Sequence, residues 1–343
     1  MNSANVITIV GTGALASFFA GYLSRDESRH TYELFVYGSW KQQIEAIQSN
    51  GLQIRELDGS IGLYHLKITD IIGEIPPSDI VILLVKSYQT AAKVVEIERI
   101  LKNHGTCITL QNGLGNREKI AAVIGASRTV TGITYQGVRT VAPGIIAHTG
   151  WGDTLIKSDP ANRHHIEYLT TCLTDTNIKT IMSPDIDMHV WKKLAINAAI
   201  NPLTALLEIS NGDLLVDRRL TGLMRLVVME TVAVANQFGI VLNDKNLYDE
   251  LLDVCRRTAT NHSSMYQDLQ RGAETEIESI NGEIRRLGGS HGIDVPVNRF
   301  LIEQMALKYS NRFEPGGFMH SIEKNFIDEK LATASAQVLK GRR

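Results

Sequence analysis

Val6-Ile7-Thr8-Ile9-Val10-Gly11-Thr12-Gly13-Ala14-Leu15-Ala16 joins a β-branched run to a glycine turn and an apolar stretch. Branching at Cβ favours an extended strand over residues 6–10. The stretch from Ala14 reads as a helix, so Gly11-Thr12-Gly13 is the turn between them. The form is G-x-G-x-x-A. Its first glycine permits the tight turn, its second lets backbone approach a pyrophosphate, and the small Ala16 lets helix pack close on strand. The amino end of such a helix offers unpaired N–H groups and partial positive charge to phosphates. Gly11, Thr12, Gly13, Ala14, Leu15 and Ala16 are therefore candidate dinucleotide-binding residues, against the bland reading of an ordinary strand-to-helix turn.

Outward from this turn, strand-like runs at 32–37, 79–85 and 106–110 alternate with helical stretches at 14–23, 41–50 and 89–102. Alternation of this kind indicates a parallel sheet wound on both faces. Residues 51–62 read as a turn-rich excursion, and residues 129–156 as sheet and hairpin. After Ser183-Pro184 the β-branched runs nearly vanish, and 188–207, 220–238, 246–253, 274–287 and 297–309 read as helices. The expected fold is an α/β N-terminal Rossmann-type dinucleotide-binding domain, 1–183, followed by an all-α C-terminal domain, 184–343. The tail from Phe318 reads as helical to about Leu339 and ends in Lys340, Arg342 and Arg343, a solvated basic terminus.

At 343 residues the length suits two domains of roughly 150. A content of 43% hydrophobic and 21% charged residues is ordinary for globular chains and excludes disorder as the main state. Lys+Arg 35 against Asp+Glu 37 lacks the basic excess of a general nucleic-acid binder. The longest purely aliphatic run, Ile80 to Val85, falls far short of the roughly 20 residues of a membrane helix. No signal peptide is readable, so a cytoplasmic protein is expected. Cys107, Cys172 and Cys255 are too scattered for a disulfide framework or zinc site and read as buried small hydrophobes. The histidines show no ligand spacing, and no metal is expected.

The end of the second strand bears on which nicotinamide cofactor is used. NAD sites usually place a carboxylate there for the ribose 2′-hydroxyl. Tyr37-Gly38-Ser39-Trp40-Lys41 has none, and Ser39 and Lys41 could hold a 2′-phosphate. NADPH is the favoured cofactor. The bland alternative makes Lys41 the first exposed residue of a helix.

Residues 191–206 form an apolar helix interrupted by Lys193, Asn197 and Asn201. Four-residue spacing lets these three drift only about 80° around the axis, so they share a face. Polar groups in so apolar a helix need hydrogen-bond partners, and a solvated stripe is the weaker explanation.

Here the chain resembles the ketopantoate reductase (2-dehydropantoate 2-reductase) family, nearly end to end as far as about Tyr309. The resemblance is carried by Gly11-Thr12-Gly13-Ala14-Leu15, Leu84-Val85-Lys86-Ser87-Tyr88-Gln89-Thr90, Gln111-Asn112-Gly113-Leu114-Gly115 and Gly132-Ile133-Thr134-Tyr135. In the helical half it rests on Lys193-Leu194-Ala195-Ile196-Asn197 and Ile200-Asn201-Pro202-Leu203-Thr204-Ala205. Asn211-Gly212-Asp213-Leu214, Ser263-Ser264-Met265-Tyr266-Gln267-Asp268, Thr275-Glu276-Ile277 and Ile280-Asn281-Gly282 complete it. The Asn-Pro-Leu-Thr-Ala and Ser-Ser-Met-x-Gln-Asp strings are far more specific than the glycine motif.

The resemblance implies a second domain of the 6-phosphogluconate dehydrogenase C-terminal-like kind. It makes Lys193 the catalytic lysine and puts Lys86 on the nicotinamide side. Asn112 would contact both cofactor and substrate. Asn197, Asn201, Asn211 and Ser264 would bind substrate, and Glu276 would complete the site as a catalytic and cofactor-contacting carboxylate. The implied reaction is NADPH-dependent reduction of 2-dehydropantoate to pantoate, for pantothenate and coenzyme A synthesis. A lysine ammonium beside the ketone oxygen stabilises the developing alkoxide and donates its proton. The family departs from this chain in two places: many members carry arginine where Ser39 stands, and the tail beyond Phe318 exceeds the usual end. Two alternatives stay open, a reductase of another branched 2-oxo acid and an NADP(H)-sensing protein without turnover. The amphipathic helices suit a homodimer as well as an intramolecular core.

Overall fold

A computed structural model describes residues 5–25 and 31–327. Among these residues the strands are β1 (Asn5–Val10), β2 (Tyr32–Tyr37), β3 (Leu52–Arg55), β4 (Ile61–Tyr64), β5 (Lys67–Thr69) and β6 (Ser78–Leu83). They continue with β7 (Leu101–Thr109), β8 (Thr129–Thr134), β9 (Gly137–Ala142), β10 (Ile145–Gly150), β11 (Thr154–Lys157) and β12 (Thr180–Ser183). The helices of this part are α1 (Ala14–Ser24), α2 (Lys41–Asn50), α3 (Thr90–Ile100), α4 (Asn116–Ile124) and α5 (Arg163–Asp175). The chain divides into two compact units, Met1–Ile186 and the part from Asp187 onward.

In the first unit the main sheet runs β12-β11-β8-β7-β6-β1-β2-β5. From β8 to β5 every pairing is parallel, in the strand order of a dinucleotide-binding sheet, whose switch point falls between β1 and β6. Successive residues of β6 face opposite ways. Ile80 and Ile82 join a core with α1, α2 and α5, whereas Val81 and Leu83 join one with α3 and α4. Helices thus cover both faces, as the alternating sequence pattern requires. Cys107, Cys172 and Cys255 are buried and unpaired with one another.

Residues 51–62 hold no crossover helix, as expected, but they are a strand hairpin rather than a turn-rich excursion. Leu52–Arg55 and Ile61–Tyr64 pair antiparallel, and β3 also pairs parallel with β10, which gives a second sheet, β4-β3-β10-β9. The four-residue strands are too short to show a period, and the partner of β3 lies some 90 positions away, so local pattern hid the sheet.

The second unit is helical: α6 (Ile186–Leu207), α7 (Arg218–Gln237), α8 (Asp244–Arg257), α9 (Ser264–Gln270), α10 (Glu283–Ser290), α11 (Pro296–Tyr309) and α12 (Pro315–Ile322). α7 packs against α8, α10, α11 and α12. The helix expected over 274–287 starts later. Thr275 and Glu276 precede it, and Glu278–Gly282 form a π-helical turn that leads into α10. The expected tail helix is described only to Ile327, with a π turn at Glu323–Ile327 after α12; the rest of that expectation, including Lys340, Arg342 and Arg343, lies outside the described residues. Among the described residues no helix is long and apolar enough to cross a membrane.

Gly11 sits at the switch point with φ +138, and a Cβ there would lie 2.7 Å from the main-chain oxygen of Leu84. Gly13 is different: its backbone is extended, and a Cβ would meet nothing within 4 Å. Gly11→Ala should therefore lower stability by about 1–3 kcal/mol in denaturant melts, from strain and a backbone clash. Gly13→Ala should stay within about 0.5 kcal/mol of the unaltered protein while weakening dinucleotide binding in a titration. A large stability loss in Gly13→Ala alone would contradict this division.

Candidate active site

In the first unit the glycine turn presents the amino end of α1. Gly13 is its N-cap, no side chain caps it, and no acidic residue lies in its first turn. Those donors, together with the open space over Gly13, fit a pyrophosphate. Thr12 and Ala16 are buried, with Ala16 in the core under the sheet, and Ala14 and Leu15 are half-buried. Ser39 and Lys41 are exposed just past β2. The carboxylate of Glu96 does lie near the end of β2, where Tyr37 Oη donates to it over 2.7 Å. It is committed to Lys93, also at 2.7 Å.

Lys86 and Asn112 follow β6 and β7, which are neighbours in the sheet. A polar network ties their loops together. Ser87 Oγ donates to the Asn112 carbonyl over 2.8 Å, and Asn116 Nδ2 donates to the same oxygen over 2.9 Å. Gln111 Nε2 reaches Val85 O and Thr90 Oγ1, both at 2.8 Å. Main-chain and neighbouring groups fix the Asn112 loop, so holding it does not consume the Asn112 side chain. The structuring roles of Thr90, Gln111 and Asn116 were missed from sequence; the signal for Thr90 and Gln111 was only their presence in the two strings, and Asn116 lies one residue past the second.

In the second unit α6 carries Lys193, Asn197 and Asn201 through the body of the fold. Leu194, Ala195, Ala198, Ala199 and Leu203 are buried around them. Asn201 is buried as well, and Lys193 and Asn197 are half-buried. Burial pushes the Lys193 pKa down to about 8, and the charge of Glu276 opposes that shift. Glu276 is itself 6% exposed, so it is not a solvated surface carboxylate. Lys192 projects elsewhere, 3.8 Å from Glu250.

Two loops are fastened near this helix. Thr204 Oγ1 donates to Ser263 Oγ over 2.7 Å, and Ser263 caps α9, whose first residue is the half-buried Ser264. Asn211 donates through its main chain to Asn261 O over 2.9 Å, and through Nδ2 to Thr258 Oγ1, also over 2.9 Å. Its Oδ1 is buried without a hydrogen-bond partner among the described residues. Such an acceptor needs a donor to offset its desolvation, and a ligand hydroxyl could be one. Thr275, next to Glu276, is clamped by Tyr309: its N–H donates to Tyr309 Oη over 2.9 Å, and that hydroxyl donates to Thr275 Oγ1 over 2.7 Å. The structure therefore brings Lys193 and Glu276 into electrostatic range in one unit, and places Lys86 and Asn112 on adjacent loops in the other. Among the described residues no group of three or more His, Cys, Asp and Glu side chains is arranged to hold a metal.

Residues 7–160 match the family described as ketopantoate reductase PanE/ApbA, and residues 185–308 match its C-terminal counterpart. The chain is 30% identical over 302 residues to a 2-dehydropantoate 2-reductase of Halobacterium salinarum, covering 88% of this chain and 98% of that protein. Among solved structures it resembles a PanE/ApbA family ketopantoate reductase of Ralstonia eutropha JMP134, with TM-score 0.80, 25% identity and coverage of 90% and 99%. It has the same fold as D-mandelate dehydrogenase, solved with NADH and anilino(oxo)acetate, at TM-score 0.83, 23% identity and coverage of 90% and 99%.

Proposed function

The chain belongs to the ketopantoate reductase family, oxidoreductases acting on CH–OH groups, and on that premise we propose that it reduces 2-dehydropantoate to pantoate with NADPH, in the supply of pantothenate. The observation that carries this reading is Lys193, a lysine set among the buried apolar residues of α6 and within electrostatic range of the buried Glu276, where burial holds its pKa down at about 8 against the raising influence of that carboxylate. A general acid works best when its pKa lies near the working pH.

Bound NADPH would supply the hydride, held by the backbone of Gly11 to Ala16, by Ser39 and Lys41 at the 2′-phosphate, and by Lys86 and Asn112 on the nicotinamide side. The Lys193 ammonium stabilises the negative charge that develops on the ketone oxygen, then gives that oxygen its proton. Glu276 keeps the ammonium charged despite its desolvation and accepts a hydrogen bond from a substrate hydroxyl. Asn197, Asn201, Asn211 and Ser264 supply neutral hydrogen bonds to the carboxylate and hydroxyl ends, which orient the acid without competing for the lysine charge. A second reading keeps this chemistry and changes the 2-oxo acid; the fold shared with D-mandelate dehydrogenase is what favours it. NADPH consumption by the purified protein with 2-dehydropantoate and a panel of branched and aromatic 2-oxo acids separates the two.

Lys193→Ala should lower kcat by about 10²–10⁴-fold, while Lys192→Ala on the other face stays near the unaltered rate. The acid form of Lys193 is the active one, so kcat/KM for reduction should be level at low pH and fall as pH rises through about 8. Lys193→Arg should displace that limb to higher pH. Ser264→Ala should raise KM for the oxo acid roughly 10- to 150-fold, the worth of a hydrogen bond to a charged group, and leave NADPH affinity unchanged. In cofactor titrations NADPH should bind more tightly than NADH, and Lys41→Glu should narrow the gap. Equal affinities in the unaltered protein would overturn the NADPH assignment.

A further inference from the structure

Pro202 lies inside α6 and has no N–H, so the carbonyl of Ala198, four residues back, loses its helical donor. Asn281 takes the vacant place. Its Nδ2 donates to Ala198 O over 3.0 Å and to Asn298 Oδ1 over 2.9 Å. Both partners are acceptors, which sets the orientation of the amide and leaves Asn281 Oδ1 buried without a partner among the described residues. Asn298 is oriented in turn, because its Nδ2 donates to Glu230 Oε2 over 2.8 Å. The Glu230 carboxylate also accepts the N–H groups of Val297 and Asn298, at 2.8 and 2.9 Å. These belong to the first turn of α11, which lacks a side-chain cap of its own and whose partial positive charge favours an anion.

Asn281 stands in the π turn that follows Glu276, whose carbonyl accepts from the N–H groups of Ser279 and Ile280, both at 3.1 Å. π turns of this kind recur at functional sites, where they re-aim side chains. On the other side of Glu276, Tyr309 clamps Thr275 from the far end of the same α11. α11 therefore grips the Glu276 segment at two points, and Asn281 passes that grip to the helix carrying Lys193. A stranded, fully buried amide oxygen is costly, and what the fold gains for it is a directed bond between these two segments.

We propose that Asn281 is a positioning residue that ties the Lys193 helix to the Glu276 segment by supplying the hydrogen bond that Pro202 denies to Ala198. The inference rests on reading Lys193 and Glu276 as the reacting pair.

The test compares Asn281→Ala, Pro202→Ala and the double variant in the full chain. In the double variant the new N–H at position 202 can satisfy Ala198, so the helix is repaired while the tie to the π turn stays absent. Thermal melts should show a loss in Asn281→Ala that the double variant recovers in part, since Ala198 regains a donor while Asn298 Oδ1 still lacks one. kcat should fall roughly 10- to 100-fold in both, with NADPH affinity unchanged, because small misplacements of a reacting group carry penalties of that size. Pro202→Ala alone should stay near the unaltered rate, since a carbonyl oxygen accepts two hydrogen bonds. Lys193 can be followed without substrate, by pH-dependent amine labelling and mass spectrometry. Its titration should rise toward the ordinary lysine range in both Asn281 variants, as water enters and burial, the larger influence on it, weakens. Recovery of kcat and of the Lys193 titration together with the melt would overturn the proposal, and so would an unaltered Lys193 titration in the double variant. A Pro202→Ala loss equal to that of the double variant would also overturn it. If Asn281→Ala fails to fold, the double variant carries the test. Failure of the functional reading registers separately, as inactivity of the unaltered protein toward every 2-oxo acid.

Discussion

An ammonium group withdrawn from water is unstable unless charge or hydrogen bonds compensate, and much of the second unit is arranged around one such group. Lys193 sits on a helix whose other residues are largely Leu, Ile and Ala, so its surroundings desolvate it, and Glu276 supplies the opposing charge. That compensation depends on Glu276 remaining where it is. Its loop is held by Tyr309 through Thr275, and the π turn beyond it is anchored by Asn281. A proline in the lysine helix looks like a defect by propensity alone. In this fold it leaves a carbonyl free for a neighbouring segment, and the defect becomes the point of attachment.

The first unit solves a different problem, close approach without collision. Gly11 passes so near Leu84 that any side chain would strike its carbonyl, which is why the turn at the sheet's switch point has to begin with glycine. The next two loops along the sheet are then braced by buried amides and hydroxyls, Gln111, Asn116, Thr90 and Ser87, none of which carries charge. Neutral bracing shapes a site without imposing a field on it.

Much of the fold was legible because it rests on local pattern. β1, the glycine turn and α1 follow from eleven consecutive residues, and α6 from its apolar content and the spacing of Lys193, Asn197 and Asn201. The parts that were not legible depend on distant partners. β3 and β4 have four residues each, too few to show a period; they pair with each other as a hairpin, and β3 joins a sheet through the distant β10. The helix start moved from Glu274 to Ile277 because Tyr309, more than thirty positions away, holds Thr275 in a loop conformation.

By itself the sequence determined the strand–helix alternation around the glycine turn, the helical character of the second half, and the set of residue types from which a reductase can be built. Each of these follows from short-range sterics, hydrophobic periodicity or resemblance. Only the tertiary structure decided that Glu276 is buried, that its charge acts on Lys193 rather than on solvent, and that Asn281 rather than a backbone N–H serves Ala198. A pKa and a hydrogen bond of that kind depend on which groups meet across the fold and how much water is excluded between them. No spacing along a chain states either quantity.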